Sequence, residues 1–574
     1  MGRFIKSTYL NKKETQSGKE KVVMVVKEED GTKKHMEITD PMMHYYVTKD
    51  EHWLPPNKIV GSIEKDKVRT VTCKHKDIIK SVVKEAGNAQ DKAEYDRIMK
   101  SGNWQEYRKL RDFHLLNNAH GSDINIEDYN INEYIKKNLD SKVGIDICLF
   151  DIEVDGSQVT GFPDPEKAEA EINIITVVDW SKKKVLTFAL KYDTDTYKET
   201  MKDQDKLIKD LNEIYNNENS EIGKDLGLEF EIYELDTEMQ VIKSFLYYIN
   251  EISKPDICTA WNKLDYDFPA IFERIRVNGE DPADYFCSKE FEDKKAYYKL
   301  DKNATDMANR SSTFETNSYT NWIDQLALYA NINKPNGALE SVKLNDIGEK
   351  EAGVTKDVYE GSISDLHFRD YYTFILYNIK DTVLTALIEH NTNMFDLLFS
   401  IVDMTRTRPS KALKKTICLR NRSSVFFENQ GYVISNNHSK LLSDPNADKI
   451  RGGFVADMML IERNGDTLVK GKDIRSNRLF SNVCDFDLTA LYPSIIRAYN
   501  ITPEGHVGKM NILDKDRITV PKYEEDKDNY DFNTEFVSKF NSQDNVAFAQ
   551  EFHGLPSLIE ASDDIIKELE EEIS

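Results

Sequence analysis

A chain of 574 residues is too long for one hydrophobic core and is expected to divide into several domains. With 39% apolar and 31% charged residues, 25 Gly and 15 Pro, its composition is globular and excludes a disordered or fibrous chain. The net charge of −24 excludes a basic coat for a polyanion, but not an enzyme whose clustered acids hold cations and whose nucleic-acid contact is one basic stripe.

No run approaches the roughly eighteen apolar residues of a membrane span, and the opening MGRFIKSTYLNKKETQ lacks the apolar stretch of a secretory signal. A soluble cytoplasmic protein with no membrane partner is expected. Cys73, Cys148, Cys258, Cys287, Cys418 and Cys484 are far apart, with none of the close pairs that zinc or redox motifs need, and read as reduced thiols.

Residues 1–145 mix β-like runs (Lys21 to Val26, His44 to Val47) with a helical stretch, Asp91 to Arg111, and show no chemistry. From about 144, GIDICLFDIEV, EINIITVVDW and KKVLTFALKY read as three sequential strands. Helical patterns at Lys202 to Tyr215 and Thr237 to Ile252, the strand-like PDICTAWN and the helix-like FPAIFERIRV complete an α/β domain with a central sheet. The polar stretch from Cys287 to Ser318 reads as a loop or hairpin insertion, and Phe368 to His390 as a long amphipathic helix. Near the end, GGFVADMML and VCDFDLTALYPSIIRAYN read as strands leading into a turn and helix, and SDDIIKELEEEIS as a helix capped by Ser562.

Hydrolysing a phosphodiester with two divalent cations takes carboxylates converging from several elements, because hard cations want oxygen ligands. Asp151 and Glu153 alternate around Ile152, so on a strand both face one side of the sheet. A solvated edge strand would carry them in the same way. Asp267 stands just before a helix whose N-terminus favours anions, in competition with Asp265 and with a plain capping role. Tyr377 and Asp381, four apart on the long helix, would let an acid hold metal while a phenol orients the attacking water, unless they are a core Tyr and a surface Asp.

FDIEV, then WN followed by DFP, then YNIKD, in that order, resemble the three exonuclease motifs of family B DNA polymerases. The resemblance implies an RNase H-like 3′→5′ exonuclease domain in which Asp151, Glu153, Asp267 and Asp381 bind two Mg2+ and Tyr377 positions the water. Asp265 falls outside the matched position. GFPDP at 161–165 is similar to the T-even-type phage members.

FDLTALYPSIIRAYNITPE resembles the first palm motif of the same family. By that resemblance Asp487 and the carbonyl of Leu488 bind two polymerase metals, the turn through Leu491 holds the incoming nucleotide, and Tyr492 excludes ribonucleotides. Ala490 departs from the usual Ser, and RGGFV at 451–455 looks like the family's segment between exonuclease and palm, or a simple turn. Arg406, Arg408, Lys411, Lys414, Lys415, Arg420 and Arg422 occur with no acid among them, as a phosphate-tracking stripe or a solvated helix face. The fingers and paired-acid motifs that should follow Asp487 do not appear, and YDTDTY at 192–197 imitates the paired acids in the wrong place.

The expected fold is multidomain, α/β and α+β: an N-terminal domain (1–145), an exonuclease domain with a mixed central sheet (146–393), a return segment (394–437), an incomplete palm (438–545) and the start of fingers (546–574). The expected function is that of the amino-terminal subunit of a split replicative polymerase, with its own proofreading exonuclease and a polymerase site whose two Mg2+ are shared with a C-terminal partner chain. Primer-template and single-stranded DNA, dNTP and a sliding clamp are the further expected partners. A truncated chain would look the same. The alternatives are a stand-alone 3′→5′ exonuclease with a scaffold-only palm fragment, and a non-catalytic nucleic-acid-binding assembly protein.

Overall fold

The computed structural model describes residues 2–437, apart from 56–59, 139–142, 158, 160, 162, 221, 263–264, 303–306, 311, 335–338, 340 and 356–362, and beyond them the backbone of four short strands. The chain divides into two compact units, Met1–Pro445 and Asn446–Ser574.

The first unit opens on an antiparallel meander of β1 (Arg3–Leu10), β2 (Lys21–Lys27) and β3 (Lys33–Thr39). Strands β4 (Met42–Thr48), β5 (Ser62–Glu64), β6 (Val68–Lys74) and β7 (Ala119–His120) follow, with β4 lying between β6 and β7. Helix α1 (Ile78–Ala86) precedes α2 (Ala89–Ser101), which starts on a capping box between Asn88 and Asp91. The single helix expected over Asp91 to Arg111 is broken at Gly102, whose φ of 63° ends α2. The chain resumes as α3 (Trp104–Tyr107) and a 3₁₀ segment, then α4 (Ile126–Ile135).

The three expected strands are β8 (Ile147–Asp155), β9 (Glu171–Asp179) and β10 (Lys184–Leu190). YDTDTY is no hairpin: it runs into α5 (Asp195–Lys202), and the Thr194 hydroxyl caps that helix by accepting from the Tyr197 N–H at 3.3 Å. After α6 (Gln204–Tyr215), the short pair β11 (Asn216–Asn217) and β12 (Lys224–Asp225) leads to β13 (Glu229–Leu235). Helix α7 (Glu238–Tyr247) runs into a π-helical turn, Tyr248–Ser253, ahead of β14 (Ile257–Thr259), α8 (Asp267–Val277) and α9 (Ala283–Phe286). The polar insertion contains an antiparallel ladder, β15 (Ala296–Lys299) with β16 (Thr313–Thr316). Next come β17 (Asn321–Trp322), α10 (Gln325–Asn333), α11 (Leu344–Ala352), α12 (Leu366–Arg369) and α13 (Tyr371–Thr392).

Six strands form one mixed sheet in the order β13-β10-β9-β8-β14-β17. β9 runs antiparallel to β8 and β10, whereas β10/β13, β8/β14 and β14/β17 are parallel. Side chains alternate across it, so Cys148, Phe150 and Ile152 join one core with Phe245 of α7 and Phe268 of α8, while Ile147 and Leu149 join another with Ile379 and Val383 of α13. Helix α13 is not amphipathic as expected. It is buried on nearly every face, because the sheet covers one side and α11 closes on the other. Gly348 permits that approach, since a Cβ there would lie 2.7 Å from the Leu384 side chain.

The N-terminal meander is fastened to this sheet by polar contacts. Lys6 Nζ, buried, donates to Thr316 Oγ1 (3.0 Å), Ser318 Oγ (3.3 Å) and the Thr320 carbonyl (2.6 Å), where β16 passes into β17. Asp256, just before β14, takes Lys27 Nζ at 3.0 Å and Lys33 Nζ at 2.7 Å, and Asp146, just before β8, takes Lys27 at 2.7 Å. After α14 (Met394–Thr405) and α15 (Lys415–Asn429), β18 (Tyr432–Ile434) pairs with β5 and so rejoins the first domain.

In the second unit, β19 (Ile461–Asn464) pairs with β20 (Thr467–Lys470) and β21 (Lys509–Ile512) with β22 (Phe548–Glu551), both antiparallel. Asp487, Leu488, Leu491 and Tyr492, the RGGFV segment and the terminal helix expected from Ser562 lie outside the described residues.

Candidate active site

Strand β8 supplies the first two acids. Residues 147–150 are buried on both faces, after which Asp151 and Glu153 are half-buried around a buried Ile152, on the α13 side of the sheet. The β8–β9 register shifts between Glu153 and Val154, a bulge of the kind that re-aims side chains beside functional sites.

Helix α13 brings the third. Asp381 is buried, and one carboxylate oxygen each from Asp151, Glu153 and Asp381 lie within 4.8 Å of one another. Three carboxylates this close, one of them buried, repel one another when ionised, and an all-oxygen set suits a hard divalent ion. Tyr377, buried, stands one helical turn before Asp381. Asp151, Glu153 and Asp381, predicted from two separate motifs, therefore meet between one strand and one helix, with Tyr377 one turn away on that helix.

Asp267 is buried as the first residue of α8 and lies outside the 4.8 Å group. Its tie to the group is electrostatic: burial, then Asp267, Glu153 and Asp151 in that order, raise the Tyr266 phenol far above its usual range. Asp265, its competitor two residues back, is ion-paired with Arg310 instead. Next along β8, Asp155 Oδ2 sits 3.6 Å from Nε2 of the buried His367, which burial holds below the usual imidazole range.

Two residues of this site carry no signal in the sequence. Asn378, buried next to Tyr377, donates from Nδ2 to Asp151 Oδ2 at 3.0 Å, and Tyr266 places its phenol among three acids. A neutral amide and a phenol beside stronger motifs look like ordinary core residues.

The basic stripe divides in two. Arg408 bonds Glu127 and, at 3.2 Å, Asp128; Arg420 pairs with Asp123; and Arg406, in the left-handed region at φ 55°, bonds the Asn132 side chain. All three are spent on or beside α4. Lys411 is half-buried, and burial, with Arg408 and Lys414 nearby, lowers its ammonium below the usual range. Lys414, Lys415 and Arg422 are exposed and have no carboxylate within 4.0 Å among the described residues. Lys414 and Lys415 also line a cavity of about 510 Å³ together with Asp265, Arg310 and Trp322.

Residues 94–347 match the family model for the DNA polymerase family B exonuclease domain, whose RNase H-like fold accords with the mixed sheet. The chain is similar to a DNA-directed DNA polymerase of Escherichia phage RB69, 24% identical over 372 residues, 64% of this chain and 36% of that protein. It is also similar to a DNA-directed DNA polymerase of Enterobacteria phage T4, 26% identical over 405 residues, 68% of this chain and 40% of that protein. The chain thus matches well under half the length of these curated relatives. No helix among the described residues is long and apolar enough to cross a membrane.

Proposed function

We propose that the chain, whose residues 94–347 match the exonuclease-domain model of family B DNA polymerases, removes nucleotides from the 3′ end of DNA by metal-dependent hydrolysis, as the proofreading part of a polymerase. The observation that carries this is the meeting of Asp151 and Glu153 with Asp381 across more than two hundred residues of chain.

Asp151, Glu153 and Asp381, with Asp267 from the start of α8, are the residues that would hold two divalent cations, Mg2+ in the cell. When bound, such cations neutralise charge on both sides of phosphorus and polarise the phosphoryl oxygen. The chain's own groups do the rest. Tyr377 orients a water in line with the scissile P–O3′ bond; the water oxygen bonds to phosphorus and gives up a proton to solvent, the bond to O3′ breaks as O3′ takes a proton from solvent, and a nucleoside monophosphate leaves. Lys414 and Lys415 hold backbone phosphate, while Arg406, Arg408 and Arg420 brace the stripe against α4.

Polymerisation is proposed for an assembly: Asp487, Leu488, Leu491 and Tyr492 bind dNTP and two further Mg2+ together with a second polypeptide that supplies palm, fingers and thumb elements. A sliding clamp joins that assembly on primer-template DNA.

Digestion of 5′-labelled single-stranded DNA in Mg2+ tests the nuclease. The wild-type chain shortens the strand stepwise from its 3′ end, and Asp151→Ala or Asp267→Ala abolishes shortening; equal activity in all three proteins removes the assigned site. Primer extension only on adding the partner chain is the corresponding test of the polymerase half.

A further inference from the structure

Asn378 lies in the interior of α13, fully buried, with its backbone carbonyl accepting from Thr382 Oγ1 at 2.7 Å. Its side-chain amide has one orientation open to it. Nδ2 meets Asp151 Oδ2 at 3.0 Å, and a flipped amide would set two acceptors against each other. That choice sends Oδ1 the other way, where it is buried and has no hydrogen-bond partner. A buried amide oxygen without a donor costs on the order of 1–3 kcal/mol, so packing alone gives no reason for Asn where Leu would fit.

We propose that Asn378 is a positioning residue for the cation site: its N–H fixes the Asp151 carboxylate by engaging one oxygen, so that the carboxylate is oriented for the cation. This rests on the reading of Asp151, Glu153 and Asp381 as cation ligands. It assigns a second task to the motif that supplies Tyr377 and Asp381, since one helical face then carries the water-orienting phenol, a ligand, and the clamp on the ligand opposite. Carboxylates that bind metal are themselves commonly held by outer hydrogen bonds, whose loss weakens affinity about 10–100-fold.

The test is Mn2+ binding to the full chain without DNA, followed by the electron paramagnetic resonance of free Mn2+, for wild type, Asp381→Ala, Asn378→Leu and Asn378→Ser. Leu matches the volume and Ser adds no bulk, so one serves if the other disturbs folding. The wild-type chain binds, Asp381→Ala does not, and both Asn378 variants bind about 10–100-fold more weakly while melting close to wild type. In the nuclease assay their rate recovers toward wild type at saturating Mg2+, whereas a purely structural defect lowers it at every Mg2+ concentration. Binding within twofold of wild type in a folded variant overturns the proposal alone. A wild-type chain that binds no Mn2+ overturns the cation reading and this proposal with it. Failure of both variants to fold also counts against it, by giving Asn378 a packing role.

Discussion

Two sets of acids sit along neighbouring strands of the same sheet and are treated in opposite ways. Asp146 and Asp256, immediately before β8 and β14, are met by Lys27 and Lys33 from the N-terminal meander at 2.7–3.0 Å. Asp151 and Glu153, further along β8, are met by another acid, Asp381. Lysines of the same chain stand against the first set, whereas in the proposed function a cation joins the second. Burial and proximity alone therefore do not mark a functional carboxylate; the sign of its neighbours does.

The sharpest way to break this contrast is to remove one acid from each set. Asp381→Ala lowers the Mg2+-dependent cleavage rate by about three orders of magnitude or more while leaving the fold in place, since each cation supplies several kcal/mol to the transition state. Asp256→Ala does the reverse. It leaves the buried Lys27 and Lys33 ammonium groups to share Asp146, at 2.7 and 4.0 Å, costs about 3–5 kcal/mol in urea denaturation, and leaves the rate per folded molecule near wild type. If Asp256→Ala abolishes cleavage in folded protein, the division between the sets is wrong.

The basic segment repeats the contrast with signs exchanged and gives a smaller effect. Arg408 and Arg420 are neutralised by α4 and its approach, whereas Lys414 and Lys415 are exposed. Replacing both lysines by Ala reduces the slope of log affinity against log salt for single-stranded DNA by about one to two. An unchanged slope would move the phosphate contacts elsewhere.

A further contrast concerns a buried acid held by a backbone N–H, that of Phe395 at 3.1 Å. Burial raises Glu389, near the end of α13, from 4.5 to about 8. The folded chain then keeps a proton that the unfolded chain releases, so stability falls as pH rises between about 4.5 and about 8 and is lowest above that window. Glu389→Gln removes this component, and its denaturation midpoint stays flatter across the same range. Parallel pH profiles for the two proteins would show Glu389 to be unshifted.

Much of the acid-bearing architecture is legible in the sequence for a physical reason. Alternation around Ile152 fixes the shared face of Asp151 and Glu153, and helical spacing fixes Tyr377 to Asp381, because both periods follow from backbone geometry. What brings them together is less visible. β14 has three residues and β17 two, too short for any periodic signal, and β13 (EFEIYEL) earns its place by parallel pairing with β10. The burial of α13 on nearly every face depends on Gly348 of α11, which no local pattern announces. Motif order points to Asp267, which stands apart from the tight group, and Asn378 gives no local signal because an amide acquires meaning only from the carboxylate it meets.

The fastening of the meander to the sheet bears on whether the six-stranded sheet could be used in isolation. Asp256 and Asp293 have side chains with 0% exposure, and their ammonium partners, Lys27, Lys33 and Lys21, all come from the first forty residues. A fragment excised at 146–393 would lose all three ammonium partners and the strands that cover both acids, so the sheet and the meander form one cooperative unit. Any transplant into another scaffold must bring the opening three strands along.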